Sequence, residues 1–209
     1  TDFCAIATKK DHTVHVYRIG TLNNINSWTL LQDLKDHTQT VAGVDWTADN
    51  KILTSSHDRS VFVWQQVSDS KWERMLVNID VKLSILVSKW APNGKKFALG
   101  SSCNSLALGF FNSSLKCWNI MFRDHTMKNP ITTSPVTTLC FHPSSNLIAV
   151  GSADFKVKIV TFSLKKTKND FISFLEKVIG ELYDSHFYLT TNLNSSLQLA
   201  PTGLDMWVE

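Results

Sequence analysis

Residues 41–64 read VAGVDWTADNKILTSSHDRSVFVW, and two later stretches follow the same grammar: LVSKWAPNGKKFALGSSCNSLALGF from Leu86 and VTTLCFHPSSNLIAVGSADFKVKIV from Val136. Each opens with a short alternating strand that ends in an aromatic, at Trp46, Trp90 and Phe141. A polar turn follows, carrying Asp49-Asn50, Asn93-Gly94 or Ser144-Ser145-Asn146, then an apolar strand ending in small residues, a second turn and a third alternating strand. The aromatic anchors lie 44 and 51 residues apart. Four short strands in roughly 40–45 residues is the period of a propeller blade. An immunoglobulin-like sandwich also spaces its strands evenly, but it does not repeat its turn chemistry in this way.

Outward from this repeat, residues 3–17 match the second half of a blade. The fold expected is all-β, a WD-repeat β-propeller, incomplete, with roughly four to four and a half of seven blades. It forms a single partial domain over 1–209, with blade remnants at about 1–34, 35–82, 83–130 and 131–168 and a degenerate end at 169–209. Within that end, Phe171, Phe174, Leu175, Val178 and Leu182 have helical spacing, which predicts a short helix over 170–183 that Asn169 caps. It either covers the propeller edge or docks into a partner groove. Residues 185–209, with an Ala-Pro-Thr-Gly turn at 200–203, look like the opening of another blade.

Composition narrows the function classes. Hydrophobic residues make up 43% and charged residues 19%, a globular balance rather than a disordered one. A net charge of +3, with one short basic run at Lys165, Lys166 and Lys168, gives no footprint for nucleic acid. Cys4, Cys103, Cys117 and Cys140 show no C-x-x-C spacing and read as free thiols in a reducing cytosol. No apolar run approaches the roughly 18 residues of a membrane span. The localisation expected is cytoplasmic.

The polar residues that recur with the blade have a structural task. His37 precedes the second blade, Ser55 or Ser56 closes its second strand, Asp58 sits in the next turn and Trp64 ends the third strand. Indole N–H, hydroxyl, imidazole and carboxylate can satisfy one another when buried, which staples a WD-type blade. A hydrolase reading would make His37, Ser55 and Asp58 a catalytic triad. The WD-repeat spacing already accounts for all three, and no catalytic, cofactor-binding or metal-ligating set is assigned. Asp154 repeats the turn carboxylate, but no histidine stands at the matching distance upstream; His125 lies 16 residues before Phe141 against 9 from His37 to Trp46. An incomplete staple is expected in that blade. Blade-top loops at 56–60, 102–105 and 153–156 offer charged side chains on a rigid frame, with Arg59 and Lys156 as candidate partner contacts.

Beyond the generic repeat, particular runs resemble one family. They include DHTVHVY at 11–17, LKDH at 34–37 leading to VAGVDW at 41–46, Asp58-Arg59 before Val63-Trp64, and WAPNGKKFA at 90–98. KNPI at 128–131, FHP at 141–143, GSADFK at 151–156 and GEL at 180–182 continue the series. In this order and spacing the chain is similar, over about residues 3–184, to the WD-repeat subunit of the actin-related protein 2/3 complex. The resemblance implies a seven-bladed propeller acting as a non-catalytic scaffold in a seven-subunit assembly that nucleates a new actin filament on the side of an existing one. It implies the actin-related proteins and the other subunits as partners, the mother filament and nucleation-promoting factors as further contacts, no cofactor, and a place in the actin cytoskeleton. The protruding loop and helix that the family carries between late blades has no counterpart, so complex membership is implied more directly than filament binding. The alternative class is a generic WD-repeat scaffold completed in trans by another partner, as in coat or nuclear-pore assemblies. Four blades cannot close a ring of seven, so exposed blade faces are expected, with the chain by itself either poorly soluble or only part of a longer product.

Overall fold

A computed structural model describes residues 3–8, 10–75, 77–78, 84–123, 131–143, 146–166, 172–183, 187–191 and 197–201. The first sheet is three-stranded: Phe3–Ala7 (β1), Val14–Arg18 (β2) and Thr29–Leu34 (β3) in that order. The second holds Val41–Trp46 (β4), Lys51–Ser56 (β5), Val61–Ser68 (β6) and Lys71–Met75 (β7), each antiparallel to the next. Val77–Asn78 (β8) then runs parallel along the outer edge of a third sheet, made of Ile85–Trp90 (β9), Lys96–Ser101 (β10), Leu106–Asn112 (β11) and Cys117–Arg123 (β12). The fourth contains Val136–Phe141 (β13), Leu147–Ser152 (β14), Lys156–Lys166 (β15) and Ile172–Tyr183 (β16), and Phe187–Thr191 (β17) pairs with Leu197–Pro201 (β18).

The repeat grammar becomes backbone register. Trp46 stands opposite Ile52, Trp90 opposite Phe97 and Phe141 opposite Ile148, the same pair in three sheets. At the far end of each of these ladders the register shifts, between Val41 and Gly43, Gly100 and Ser101, and Val136 and Thr138. The small residues that end β5, β10 and β14 are required there because inner strands of adjacent sheets converge. A Cβ on Gly100 would lie 2.4 Å from Val136 Cγ1 and 2.7 Å from Val87 Cγ1, closer than any side chain tolerates.

Three apolar clusters lie between successive sheets, as alternation with both faces buried demands. Val14, Val16 and Leu34 of the first sheet pack with Ile52, Trp64 and Trp72 of the second. Leu53, Val61 and Val63 pack with Trp90, Phe97, Leu99 and Trp118 of the third. Leu106 and Leu108 meet Val136, Phe141, Ile148, Val150 and Val160 of the fourth. Aromatic rings meet edge to face both across and within the sheets: Phe3 of the first against Trp72 of the second at 5.5 Å, and Trp90 against Trp118 inside the third at 5.1 Å. Such pairs contribute about 0.5–1.5 kcal/mol beyond their area. The result is the all-β, WD-repeat architecture of a partial propeller; among the described residues the sheets do not close into a ring.

The helix expected over 170–183 is overturned. Ile172–Tyr183 is a strand, paired with β15 from Lys166↔Ile172 to Lys156↔Tyr183, while Asp170 and Phe171 lie outside the described residues. The fourth sheet therefore extends past residue 168, to Tyr183. The physical reason is the outer edge of β15: a fourth strand gives its N–H and C=O groups backbone partners along the ladder from Lys156 to Lys166. That demand outweighs a local 3.6-residue periodicity.

Candidate functional site

The polar staple of the second sheet is built from the end of β5, the β5–β6 turn, β6 and the segment before β4. Trp64 Nε1 donates to Thr54 Oγ1 at 3.1 Å, and Thr54 Oγ1 lies 2.8 Å from His37 Nε2. His37 Nδ1 faces Ser60 Oγ at 2.8 Å and Asp58 Oδ2 at 3.3 Å. Asp58 also accepts the Ser60 N–H at 2.8 Å, the Ser60 hydroxyl, and the Thr38 N–H at 2.7 Å. Ser60 gives its hydroxyl proton to Asp58, so both groups facing His37 Nδ1 are acceptors and the ring proton sits on Nδ1; in the neutral imidazole Nε2 then accepts the Thr54 hydroxyl. The chain of donors thus runs one way, from Trp64 to Asp58.

The electrostatics agree with that assignment. Burial pushes the His37 imidazole below its ordinary value of 6.5, and the neighbouring Asp58 charge only partly opposes this. For Asp58, burial pushes up, but the Ser60 hydroxyl, the Thr38 and Ser60 N–H groups and His37 outweigh it and hold the carboxyl down at about 2. A neutral base beside a fixed carboxylate is a satisfied buried network.

The structure brings His37, Asp58 and Trp64 together and leaves Ser55 out. Ser55 Oγ points across the seam to Ser88 Oγ at 3.0 Å, and Ser56 Oγ donates to the Gln39 carbonyl at 3.1 Å. The hydroxyl in the network is Thr54. Strand parity explains this: Ile52 stands opposite Trp64, so Ile52, Thr54 and Trp64 share one face while Ser55 lies on the other. Thr54 lies diagonally across from Trp64, a placement fixed by the register of β5 against β6. Ser55 Oγ is not near His37, and the hydroxyl that meets His37 Nε2, that of Thr54, is fully buried.

In the fourth sheet Asp154 makes the equivalent turn contacts, accepting the Thr133 hydroxyl at 2.8 Å, the Thr133 N–H at 3.4 Å, the Lys156 N–H at 3.2 Å and the Ser152 hydroxyl. Thr132, nine residues before Phe141, occupies the place that His37 has before Trp46. Val150 and Val160 occupy the places of Thr54 and Trp64, both fully buried. Indole, hydroxyl and imidazole are replaced together, so no orphaned donor is left behind.

Arg59 and Lys156 lie at corresponding ends of the second and fourth sheets, Arg59 in the β5–β6 turn and Lys156 at the start of β15. The turn tips adopt the left-handed conformation without glycine: Arg59 at φ 70°, Asn104 at φ 59° and Phe155 at φ 61°. A cavity of about 640 Å³ opens at the other end of the inner strands, between β4, β9 and β13. Asp45 closes one wall, accepting the Trp90 N–H at 2.6 Å and Lys89 Nζ at 3.2 Å. Burial pushes the thiol of Cys140 in this cavity up, the opposite of the shift that activates a nucleophilic cysteine. Among the described residues no group of three His, Cys, Asp or Glu side chains converges as a metal site, and no helix is long and apolar enough to cross a membrane.

Largely four-stranded antiparallel sheets packed in succession, with strands β4, β9 and β13 adjacent and the polar staple in one sheet, define a WD-repeat β-propeller chain. The family described as WD domain, G-beta repeat, matches residues 28–65 and 122–160. The chain is 33% identical over 157 residues to actin-related protein 2/3 complex subunit 1A-B of Xenopus laevis, covering 75% of this chain and 40% of that protein. It is 29% identical over 168 residues to subunit 1A of Arabidopsis thaliana, covering 78% and 42%, and 32% identical over 150 residues to subunit 1 of Saccharomyces cerevisiae, covering 72% and 37%. The chain belongs to the family of these WD-repeat subunits, and it spans about two fifths of the length of the curated relatives it matches.

Proposed function

We propose that the chain acts as a non-catalytic scaffold subunit of an actin-related protein 2/3 complex and supports nucleation of branched actin filaments through protein–protein contacts. The observation that carries the reading is the kinship with subunit 1 proteins across animal, plant and fungal species, over three quarters of the chain. The geometry supports it: three apolar seams lock four sheets into a frame, and the turns gather at the two ends of that frame, where loops can meet other proteins. The buried staple at His37, Thr54, Asp58 and Trp64 holds one blade rigid and performs no chemistry. The partners are the actin-related proteins and the other subunits, with the filament and nucleation-promoting factors as further contacts at turn tips such as Arg59 and Lys156. Its place is the cytoplasm, with the actin cytoskeleton.

The test is a tagged pull-down of the chain from its own cells at moderate salt, with stoichiometric partners identified by mass. Recovery of two actin-related proteins together with small subunits supports the reading. Recovery of one elongated scaffold protein, or of chaperones alone, refutes it.

A further inference from the structure

The β1–β2 turn is tied to the first sheet through one imidazole. His15, on β2, stands opposite Asp33 of β3 on one side and Ile6 of β1 on the other. Its Nδ1 lies 2.7 Å from Asp33 Oδ1, and its Nε2 lies 3.0 Å from Oδ2 of Asp11 in the turn. Asp11 is itself fixed there, accepting the Thr13 N–H at 3.3 Å and the Thr8 hydroxyl. Asp33 also pairs with Lys35 at 3.0 Å. Tyr17, two residues along β2, brings its ring to 6.4 Å from the imidazole, and β1 contributes Cys4 and Ile6 to the same face. Lys10 and His12 flank Asp11 in the turn. Among the described residues no further charged group bonds to His15, Asp11 or Asp33.

Ionised carboxylates only accept hydrogen bonds, so both ring nitrogens of His15 must donate, and only the imidazolium can do that. His37 is the opposite case, with a hydroxyl rather than a carboxylate at its Nε2. The Asp33 hydrogen bond raises the His15 imidazole above its ordinary value of 6.5; burial opposes this, and the Asp11 bond and both charges add to the rise. Asp11 is held down at about 2, chiefly by the Thr8 hydroxyl, and Asp33 is lowered by His15 and then Lys35. Both carboxylates therefore stay charged near neutrality, and His15 is the member of the three that titrates. The clamp is complete below pH 6.5 and is lost as the pH rises through the raised His15 value. The neutral ring keeps one N–H. Asp33 holds it, being nearer and fixed by the β2–β3 ladder, so the lone pair of Nε2 is left facing Asp11. The Asp11 side chain, 47% exposed in its turn, then swings to water.

We propose that His15, clamped between Asp11 and Asp33, is a pH-sensitive lock on the β1–β2 turn, closed by the imidazolium and opened by the neutral ring. The turn it holds is the first sheet's counterpart of the β5–β6 turn. Asp11 and Asp58 each stand three residues before the valine that opens the next strand, Val14 or Val61. The two turns close alike, with the Thr8 N–H on the Thr13 carbonyl at 3.4 Å and the Ser56 N–H on the Ser60 carbonyl at 3.2 Å. Arg59 lies in the second of them, so the lock sets by pH the shape of a turn at the end of the frame where the scaffold reading places partner contacts. That last consequence rests on the scaffold reading; the lock itself does not.

The test uses the tagged full chain with the proteins that co-purify with it, and two readouts. Exchange of histidine C2 hydrogens for deuterium, followed by mass spectrometry, gives each histidine its own titration midpoint. The expected midpoint of His15 lies above 6.5 and that of His37 below it. Asp33→Asn lowers the His15 midpoint more than Asp11→Asn does. The second readout is tryptic cleavage after Lys10 in the turn, taken relative to cleavage after the exposed Lys71 to remove the protease's own pH profile. Between about pH 6 and about pH 8.5 that ratio rises about three- to fivefold, the size that an exposed ion pair at a turn supports. In His15→Gln and in Asp11→Asn the rise disappears, while His12 is still present. Asp11 lies outside every strand, so Asp11→Asn leaves the ladders intact and tests the lock without risk to the fold. A His15 midpoint at or below 6.5, a midpoint indifferent to Asp33→Asn, a flat ratio in the unaltered chain, or a rise that survives in either variant overturns the proposal. Co-purified actin-related proteins are scored separately, so the scaffold reading and the lock can fail independently.

Discussion

Thr54→Val removes one hydroxyl and keeps the volume of the side chain. In the structure that oxygen takes the Trp64 indole N–H at 3.1 Å and meets His37 Nε2 at 2.8 Å, with Thr54 itself fully buried. The variant therefore loses two hydrogen bonds and leaves two polar atoms, one donor and one acceptor, without a partner or access to water. Each orphaned neutral group costs about 1–3 kcal/mol, so the loss expected is about 2–4 kcal/mol once partial relaxation is allowed. Ser55→Ala, one residue away, loses only the bond to Ser88 and is expected to cost about 0.5–1.5 kcal/mol. The assay is urea unfolding followed by tryptophan fluorescence, comparing midpoints at equal m-values. A Thr54→Val, Trp64→Phe double-mutant cycle should show a coupling of about 1–2 kcal/mol, because the second change removes the donor that the first orphaned. If Thr54→Val costs no more than Ser55→Ala, or if the cycle shows no coupling, the directed chain from Trp64 to Asp58 is wrong.

Four further outcomes are expected. Stability falls on acidification in two stages: His37, pushed below 6.5 by burial, contributes above pH 6.5 and its contribution is lost below that, while Asp58, held at about 2 against 3.8, contributes above pH 3.8 and is lost as pH drops towards 2. The second stage amounts to about 2 kcal/mol and should be missing from the urea titration of Asp58→Asn. Gly109→Ala drives a Cβ to within 2.1 Å of the Phe97 ring and should cost about 1–3 kcal/mol by thermal unfolding; a neutral result would mean that Phe97 can move aside. Arg59→Gly relieves a left-handed backbone at φ 70°, so it should leave stability unchanged or raise it by up to about 1 kcal/mol while lowering recovery of partner subunits in the pull-down. Cys140, with its thiol pushed up by burial, should alkylate with iodoacetamide at pH 8 well below the rate of a free thiol; a faster reaction would contradict its packing.

Much of this molecule was written along the chain. The aromatic anchors Trp46, Trp90 and Phe141 and the small residues at the end of each following strand are local patterns with a period of two, and they specify strands, register and the repeat. The family kinship rested on the same runs. His37, Asp58 and Trp64 were also legible, because a histidine before a blade and a carboxylate in its turn keep fixed distances to the anchor. Two decisions belonged to the tertiary structure. Thr54 rather than Ser55 enters the staple because only one face of β5 turns towards His37, and which face that is depends on the sheet that packs against it. Ile172–Tyr183 is a strand because the open edge of β15 needs a ladder, a demand made by a neighbour and invisible in the segment's own helical spacing. Local periodicity determines what a segment can bury, and the partners that complete its hydrogen bonds determine which of its conformations is kept.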